Sequence, residues 1–309
     1  MCARQWYHEA VVRITEAILR QLRLNERKNL LHSDPAGLLE IDSSFLAALE
    51  QEVGTDSTAL SGDRFEEAVS LAAELMIDRL YSTNQYIQVD EPAREALKSI
   101  YRRTWAICLE TGDVETALRQ HHFPLLADWV GRLYPGGMKA ALASQKTIGP
   151  VVCQTYSAEF QIQLLRLDLQ KLRQPLLDIG CGKDALLVRY LRSLDIEAYG
   201  LDRSLRRSSP FLEECHWLEK DYEAGKWGTV VSNMAFTNHF AYVHRHDMCQ
   251  APRYQEKYRE ILESLQDGGS FVYGPGAPEL EKGAERQGFL VEGWPVGNGH
   301  GITRITKAV

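Results

Sequence analysis

Between Pro175 and Asp202 the chain reads PLLDIGCGKDALLVRYLRSLDIEAYGLD, and this stretch leaves few folds open. Leu176, Leu177 and Ile179 form a short apolar run that enters Gly180-Cys181-Gly182. Beyond the turn, Ala185, Leu186, Leu187, Tyr190 and Leu191 recur at helical spacing. A second apolar run, Ala198 to Leu201, ends on Asp202, so an acid stands at the tip of the next strand about twenty residues on. The order is strand, glycine turn, helix, strand, acid. Glycines let the backbone turn tightly and approach a ligand, and a carboxylate can take both hydroxyls of a ribose. A nucleoside-containing ligand follows.

The turn separates two ligand classes. A dinucleotide site carries G-x-G-x-x-G and seats a pyrophosphate on the helix N-terminus. Here Lys183, Asp184 and Ala185 follow Gly182, and Asp184 stands where that phosphate would be, which disfavours a nicotinamide dinucleotide. The string Leu177-Asp178-Ile179-Gly180-Cys181-Gly182 instead resembles the first motif of the class I S-adenosylmethionine (SAM)-dependent methyltransferases, and Gly200-Leu201-Asp202 resembles their ribose-binding acid. The resemblance implies an α/β fold, a mixed seven-stranded Rossmann-like sheet flanked by helices, with SAM as cofactor. It implies that Asp178, Gly180 and Gly182 lie beside the methionine part of SAM and Asp202 on its ribose. Asp184 replaces the family's third glycine; it either brings a carboxylate near the SAM ammonium or favours the helix start.

Later segments arrive in the family's order. His216 to Tyr222 reads as a third strand, and the resemblance makes Asp221-Tyr222 the pair that holds and stacks the adenine. Thr229 to Asn233 reads as a buried fourth strand and Gly268 to Gly274 as a fifth, after a helix from Tyr254 to Leu265. Helix Glu279 to Gln287 follows the turn-rich Gly274-Pro275-Gly276-Ala277-Pro278. Phe289 to Val291 and Ile302 to Thr306 read as two closing strands, separated by a Pro295 to Gly301 loop.

Ser232 to Phe240 leaves the carboxyl end of the fourth strand, where open α/β sheets bind ligands. Amino-group methyltransferases of nucleic acids carry N-P-P-F there; this chain keeps Asn233 and Phe236 around Met234-Ala235, which weakens a nucleic-acid reading. Asn233 is placed with the cofactor, and Phe236 and Tyr242 with the substrate pocket. His239 is the candidate general base, its alternative being a histidine that closes a helix or binds a backbone carbonyl; Asn238 and Tyr156 stand beside it as candidate catalytic residues. Tyr156, Tyr222, Phe236 and Tyr242 are candidate ring faces for a sulfonium. His244, His246, Asp247 and Cys249 read as a solvated loop, because the i, i+2 spacing of the histidines does not place both on one helical face; no metal is expected.

Residues 1–150 read as helix after helix: Val11 to Leu24, a helix capped by Ser43-Ser44, Phe65 to Tyr81 opened by Asp63, Ala93 to Leu109 opened by Pro92, and a segment from Asp113 to Leu133 in which Pro124 kinks or breaks the helix. His121-His122 reads as structural. A junction with Tyr134-Pro135-Gly136-Gly137, a short hinge helix from Met138 to Gln145, and Gly149-Pro150 leads to an amphipathic helix from Tyr156 to Leu172. The expected division is a helical cap or substrate domain, 1–150, and a SAM-binding domain, 151–309. Exposed apolar helix faces make a homodimer the alternative use of the first half.

The 309 residues carry a net charge of −7, and the basic residues cluster only at Arg203, Arg206 and Arg207, so no nucleic acid is expected as partner. The early charges exclude a signal peptide and no run reaches spanning length, which points to a cytoplasmic protein without membrane contact. The six cysteines are scattered and read as buried thiols. The expected function is methyl transfer from SAM to a small molecule, a specialised metabolite or amino-acid-like substrate. Two alternatives stay open: attack of SAM's own amine on its γ-carbon, releasing methylthioadenosine as an azetidine-2-carboxylate synthase does, and a SAM-fold binding module without turnover.

Overall fold

The computed structural model describes residues 3–54, 62–134, 142–205, 208–297 and 300–309. The chain divides into two compact units, Met1–Val151 and Val152–Val309. The expected hinge helix from Met138 and the basic pair Arg206-Arg207 fall, wholly or in part, outside the described residues.

The first unit contains α1 (Ala3–Leu24), α2 (Pro35–Leu38), α3 (Ser43–Gly54), α4 (Asp63–Thr83), α5 (Glu91–Thr111), α6 (Val114–Ala117) and α7 (Phe123–Leu133). Local chemistry sets several of their ends. Asp90 accepts from Ala93 N at 2.9 Å with Pro92 in the first turn, and Gly112 closes α5 in the left-handed conformation. Asp42, not the expected Ser43-Ser44 pair, caps α3 by accepting from Phe45 N at 2.9 Å. A five-residue π-helical turn, Leu118–His122, joins α6 to α7, so the break expected at Pro124 falls one turn earlier and Pro124 opens α7. Leu97, Met76, Ile77, Trp129 and Val130 form the buried centre of this unit.

The second unit is built on β1 (Leu176–Ile179), β2 (Ala198–Leu201), β3 (Leu212–Glu213), β4 (Trp227–Asn233), β5 (Leu265–Gly274), β6 (Leu290–Gly297) and β7 (His300–Thr306). They form one seven-stranded sheet in the order β3-β2-β1-β4-β5-β7-β6. β1 to β5 are parallel, while β7 runs antiparallel to both β5 and β6. This is the class I methyltransferase-like sheet. Its helices are α8 (Ala158–Leu164), α9 (Leu186–Ser193), α10 (Phe236–His246), α11 (Ala251–Glu263) and α12 (Pro278–Arg286). Alternation along the strands sorts the core: Leu177, Ile179, Val230 and Phe271 pack with α10 and α11, whereas Leu176, Val231 and Val272 pack with α9.

Several boundaries differ from expectation, each for a physical reason. The third strand is not His216 to Tyr222; β3 is the two residues Leu212–Glu213, and the later segment turns because Trp217, Leu218 and Tyr222 all go inward to one core cluster. The helix expected to Leu172 stops at Leu164, since Arg166 takes a positive φ of 49° while Leu165 and Leu167 fold under the sheet. β6 runs through Gly297 and pairs Pro295 with Gly301, so most of the expected Pro295 to Gly301 loop is hairpin, apart from the undescribed 298–299. His244 and His246 belong to the last turn of α10 rather than to a loop. No described helix is long and apolar enough to cross a membrane.

Candidate functional site

In the sheet order, β1 and β4 are neighbours whose connections leave toward opposite edges, and open α/β sheets bind ligands in the crevice outside the carboxyl ends at such a reversal. The turn after β1 is shaped by backbone. Gly180 N and Cys181 N both donate to Leu201 O on β2, at 2.9 and 3.2 Å, which folds the turn back over the sheet. Gly180 and Gly182 take positive φ of 79° and 74°. A methyl on Gly180 would fall on the Ala235 Cβ, well inside the distance two carbons can share, and 3.4 Å from Trp217 Cζ3. The loops after β1 and β4 therefore touch at a point only glycine fits.

Asp202 organises the other side. Its Oδ2 accepts from Gly182 N at 2.9 Å, and its Oδ1 accepts from Ser204 N at 2.8 Å and Ser204 Oγ at 2.6 Å. Each carboxylate oxygen can accept more than one hydrogen bond, so acceptor capacity remains for ligand hydroxyls. Asp178, on β1 between Gly200 and Val231, is 2% exposed, and its Oδ2 has no hydrogen-bond partner. Burial, with the nearby Asp202 carboxylate, pushes its pKa up to about 8.

β4 delivers the third group. Ser232 Oγ donates to Ile179 O at 3.0 Å and accepts from Phe236 N at 3.1 Å, tying the end of β1 to the start of α10. Met234 takes a positive φ of 55° and donates to Gly274 O at 2.7 Å, and Thr237 Oγ1 reaches Pro275 O at 2.7 Å, so the loop after β5 floors the start of α10. Asn233 Oδ1 is buried without a partner. Ser232→Ala orphans a buried carbonyl and a buried N–H together, and is expected to cost about 2 kcal/mol, read as faster amide exchange in β4 and at Phe236.

His216, Trp217 and His239 complete the surroundings. The Trp217 and His239 rings meet edge to face at 4.7 Å, and His216 lies 4.7 Å from Trp217. His216 Nε2 and Trp217 Nε1 are buried without partners. Burial, followed by Arg203 and Arg253, pulls His216 down to about 3. Burial, followed by Arg203 and His216, pulls His239 well below the usual histidine range. Both imidazoles are neutral at physiological pH.

Asp178, Gly180, Gly182, Asp202 and Asn233 thus stand at the β1, β2 and β4 ends, with His239 against the Trp217 ring. The other candidates fall elsewhere. Tyr222 is 7% exposed, donates to Trp217 O at 3.3 Å and has Lys257 Nζ 5.6 Å over its ring, so a packing partner holds the face assigned to adenine; Asp221 is exposed. Phe236 is fully buried against Tyr254 and Tyr258 and belongs to the core rather than to a pocket wall. Tyr242 is half-buried with its ring against His246, and Asn238 is half-buried on the first turn of α10. Tyr156 stacks edge-on against the exposed Phe160, and Asp184 is exposed. Burial raises the Cys181 thiol, which makes it a poor nucleophile.

Sequence reasoning missed Ser204, Ser232, His216 and Trp217 as site groups. Only Ser204 had a local signal, the Asp-x-Ser spacing of an Asx turn. Burial penalises the imidazolium that His239 would form as a base and holds its imidazole neutral.

No family model matches the sequence. No curated protein matches it. Solved structures similar to it include a SAM-dependent methyltransferase from Bacteroides fragilis in complex with S-adenosyl-L-homocysteine, at 14% identity and TM-score 0.37 over 54% of this chain and 86% of that one. The N-methyltransferase NodS from Bradyrhizobium japonicum is similar at 16% identity and TM-score 0.35, over 49% of this chain and 96% of that one. A 1,6-didemethyltoxoflavin-N1-methyltransferase from Burkholderia thailandensis is similar at 15% identity and TM-score 0.31, over 43% and 71%. The strand order and sense described above, rather than these scores, carry the fold.

Proposed function

We propose that the sheet unit binds SAM across the carboxyl ends of β1, β2 and β4 and transfers its methyl group to a small molecule. The observation that supports this most is that four of the six unmet buried polar atoms among the described residues, Asp178 Oδ2, Asn233 Oδ1, Trp217 Nε1 and His216 Nε2, stand at or beside the β1 and β4 ends. Buried polar atoms find partners in folded proteins, so an unmet group of them suits a polar ligand. Two oxygens, of Asp178 and Asn233, and two N–H donors, of Trp217 and His216, are present, as a ligand with an ammonium, ribose hydroxyls and a heterocyclic edge requires.

In this reading Asp202 takes the ribose hydroxyls while still holding the Gly182 amide. Asp178 receives the amino-acid end, and a bound ammonium restores its carboxylate by opposite charge. Trp217 Nε1 and His216 Nε2 both offer donors to the acceptor nitrogens of the base edge, the part that Asp221 and Tyr222 were expected to play; Leu218 N donates to His216 Nδ1 at 3.2 Å, which leaves the imidazole proton on Nε2. SAM, when bound, supplies an electrophilic methyl on a sulfonium, so the chain's task is to align the acceptor in line and to exclude water. His239 shapes the wall through Trp217 and takes no proton.

A small-molecule acceptor is favoured over nucleic acid by the net charge of −7 and by Met234-Ala235 after Asn233. The helical unit is proposed to serve as substrate domain.

Calorimetry with S-adenosylhomocysteine tests the cofactor, and Asp202→Ala is expected to lower affinity roughly tenfold or more. No binding by wild type, or binding of a nicotinamide dinucleotide instead, overturns the assignment. Incubation with SAM alone, followed by mass spectrometry, then tests the reaction. Intact SAM sustains methyl transfer to an added acceptor. Methylthioadenosine above the spontaneous background overturns it in favour of internal cyclisation.

A further inference from the structure

The helical unit carries a feature that the reading above does not use. Five of its helices line a partly open cavity of about 150 Å³, with walls from Ile18 of α1, Leu49 of α3, Met76 of α4, Trp105 of α5 and Leu126 of α7. Protein interiors hold few voids larger than a water molecule, and a largely apolar cavity of this size accepts a molecule of benzene size.

One wall is polar. Arg79, Tyr101, Thr104 and His122 all line the space. The π-helical turn Leu118–His122 puts both of its end residues against it, and such turns recur at functional sites. Thr104 Oγ1 donates to Ile100 O at 2.9 Å and lies 3.1 Å from His122 Nδ1, so Nδ1 carries the imidazole proton and Nε2 is left as an acceptor. The Tyr101 and His122 rings are 5.3 Å apart. Burial holds His122 near 4 and raises the Tyr101 hydroxyl, so both are neutral at physiological pH.

Arg79 is the group without a match. Its Nη2 donates to the backbone carbonyls of Asn25 and Lys28, the latter at 3.0 Å. Among the described residues no carboxylate lies within ion-pair distance; Glu26 acts on it only through space. Burial pulls its pKa down to about 10, which still leaves a full positive charge at neutral pH. A guanidinium in an apolar wall is costly unless an anion answers it, and its planar fork suits a carboxylate.

We propose that this cavity is a binding site for a small aryl or short-alkyl carboxylate, its body in the apolar chamber and its head group at Arg79 and Tyr101. The site is independent of the SAM assignment, because every lining residue lies in the helical unit.

Calorimetry of the full chain with phenylacetate tests it, with phenylacetamide as the uncharged counterpart and acetate as the anion without a body. Phenylacetate is expected to bind at one site, phenylacetamide roughly tenfold more weakly and acetate not at all. Arg79→Met is expected to bring the acid down to the amide's affinity. Ala72→Leu, which fills the chamber from α4, is expected to abolish binding while leaving the melting temperature unchanged or raised. Equal binding of acid and amide, retention of binding in Ala72→Leu, or no heat with phenylacetate overturns the proposal. S-adenosylhomocysteine binding, measured in the same samples, should be unaffected, so the two assignments fail separately.

Discussion

Gly180→Ala is expected to destabilise the sheet unit by about 2–5 kcal/mol and to abolish S-adenosylhomocysteine binding. Two separate costs add. The first is backbone: a φ of 79° lies in the left-handed region, which costs an L residue roughly 1–2 kcal/mol. The second is packing, because the new methyl would occupy the place of the Ala235 Cβ, and overpacking of a tight contact costs about 1–3 kcal/mol. The costs can be separated. Ala235→Gly in the same chain removes the clash and leaves the φ strain, so the double variant should recover the packing part only. Amide exchange in β1 and β4 reads the effect where it arises. A single variant with wild-type exchange and wild-type binding would show that the two loops do not meet as described.

The sheet unit is also expected to be most stable near pH 6.5, with stability falling on both sides, and the sign follows from counting protons. Between about pH 4 and 6.5 the unfolded chain carries protons on His216 and His239 that the folded state refuses, while the folded state holds one on Asp178 that the unfolded chain lacks. Unfolding therefore takes up one proton net, and stability falls as pH falls by at most about 1.4 kcal/mol per unit. Between pH 6.5 and about 8 the histidines are neutral in both states. Asp178 alone counts there, and stability falls as pH rises, by a similar slope, until its carboxyl ionises in the folded state near 8.

Asp178→Asn tests this directly. The alkaline slope should vanish, the acid slope should steepen to about 2.7 kcal/mol per unit, and the ligand-free protein should gain up to about 4 kcal/mol at pH 7. S-adenosylhomocysteine affinity should drop in the same variant, since the carboxylate that destabilises the empty site is the one assigned to the ligand's amino-acid end. Urea unfolding from pH 4.5 to 8.5, followed by the β-strand amides, is the measurement. A wild-type stability that climbs steadily through pH 8 would remove Asp178 from this account.

Much of this protein was determined by short-range pattern. The apolar run, glycine turn and acid from Leu176 to Asp202 specify strand, turn, helix and strand because a short run buried on both faces gives way to a helical period across a turn whose glycines take positive φ. Asp90 with Pro92, and Asp113, mark helix starts because capping is a contact between residues three apart. The same logic made Asp178, Asp202 and Asn233 legible, since each stands at or beside the end of a strand that the pattern locates.

Only the tertiary structure decided the rest. Whether Tyr222 faces a ligand or the core depends on Trp217 and Lys257, and whether Phe236 lines a pocket depends on Tyr254 and Tyr258; no spacing along the chain encodes those meetings. The His239 case is similar. A histidine's pattern in sequence is the same whether its imidazole is solvated or sealed, and it is the desolvation imposed by distant segments, with Arg203 and His216, that holds this one neutral. The unpaired Arg79 over an apolar chamber is invisible in the same way, because a void is a property of how five helices fail to close and of nothing any one of them carries.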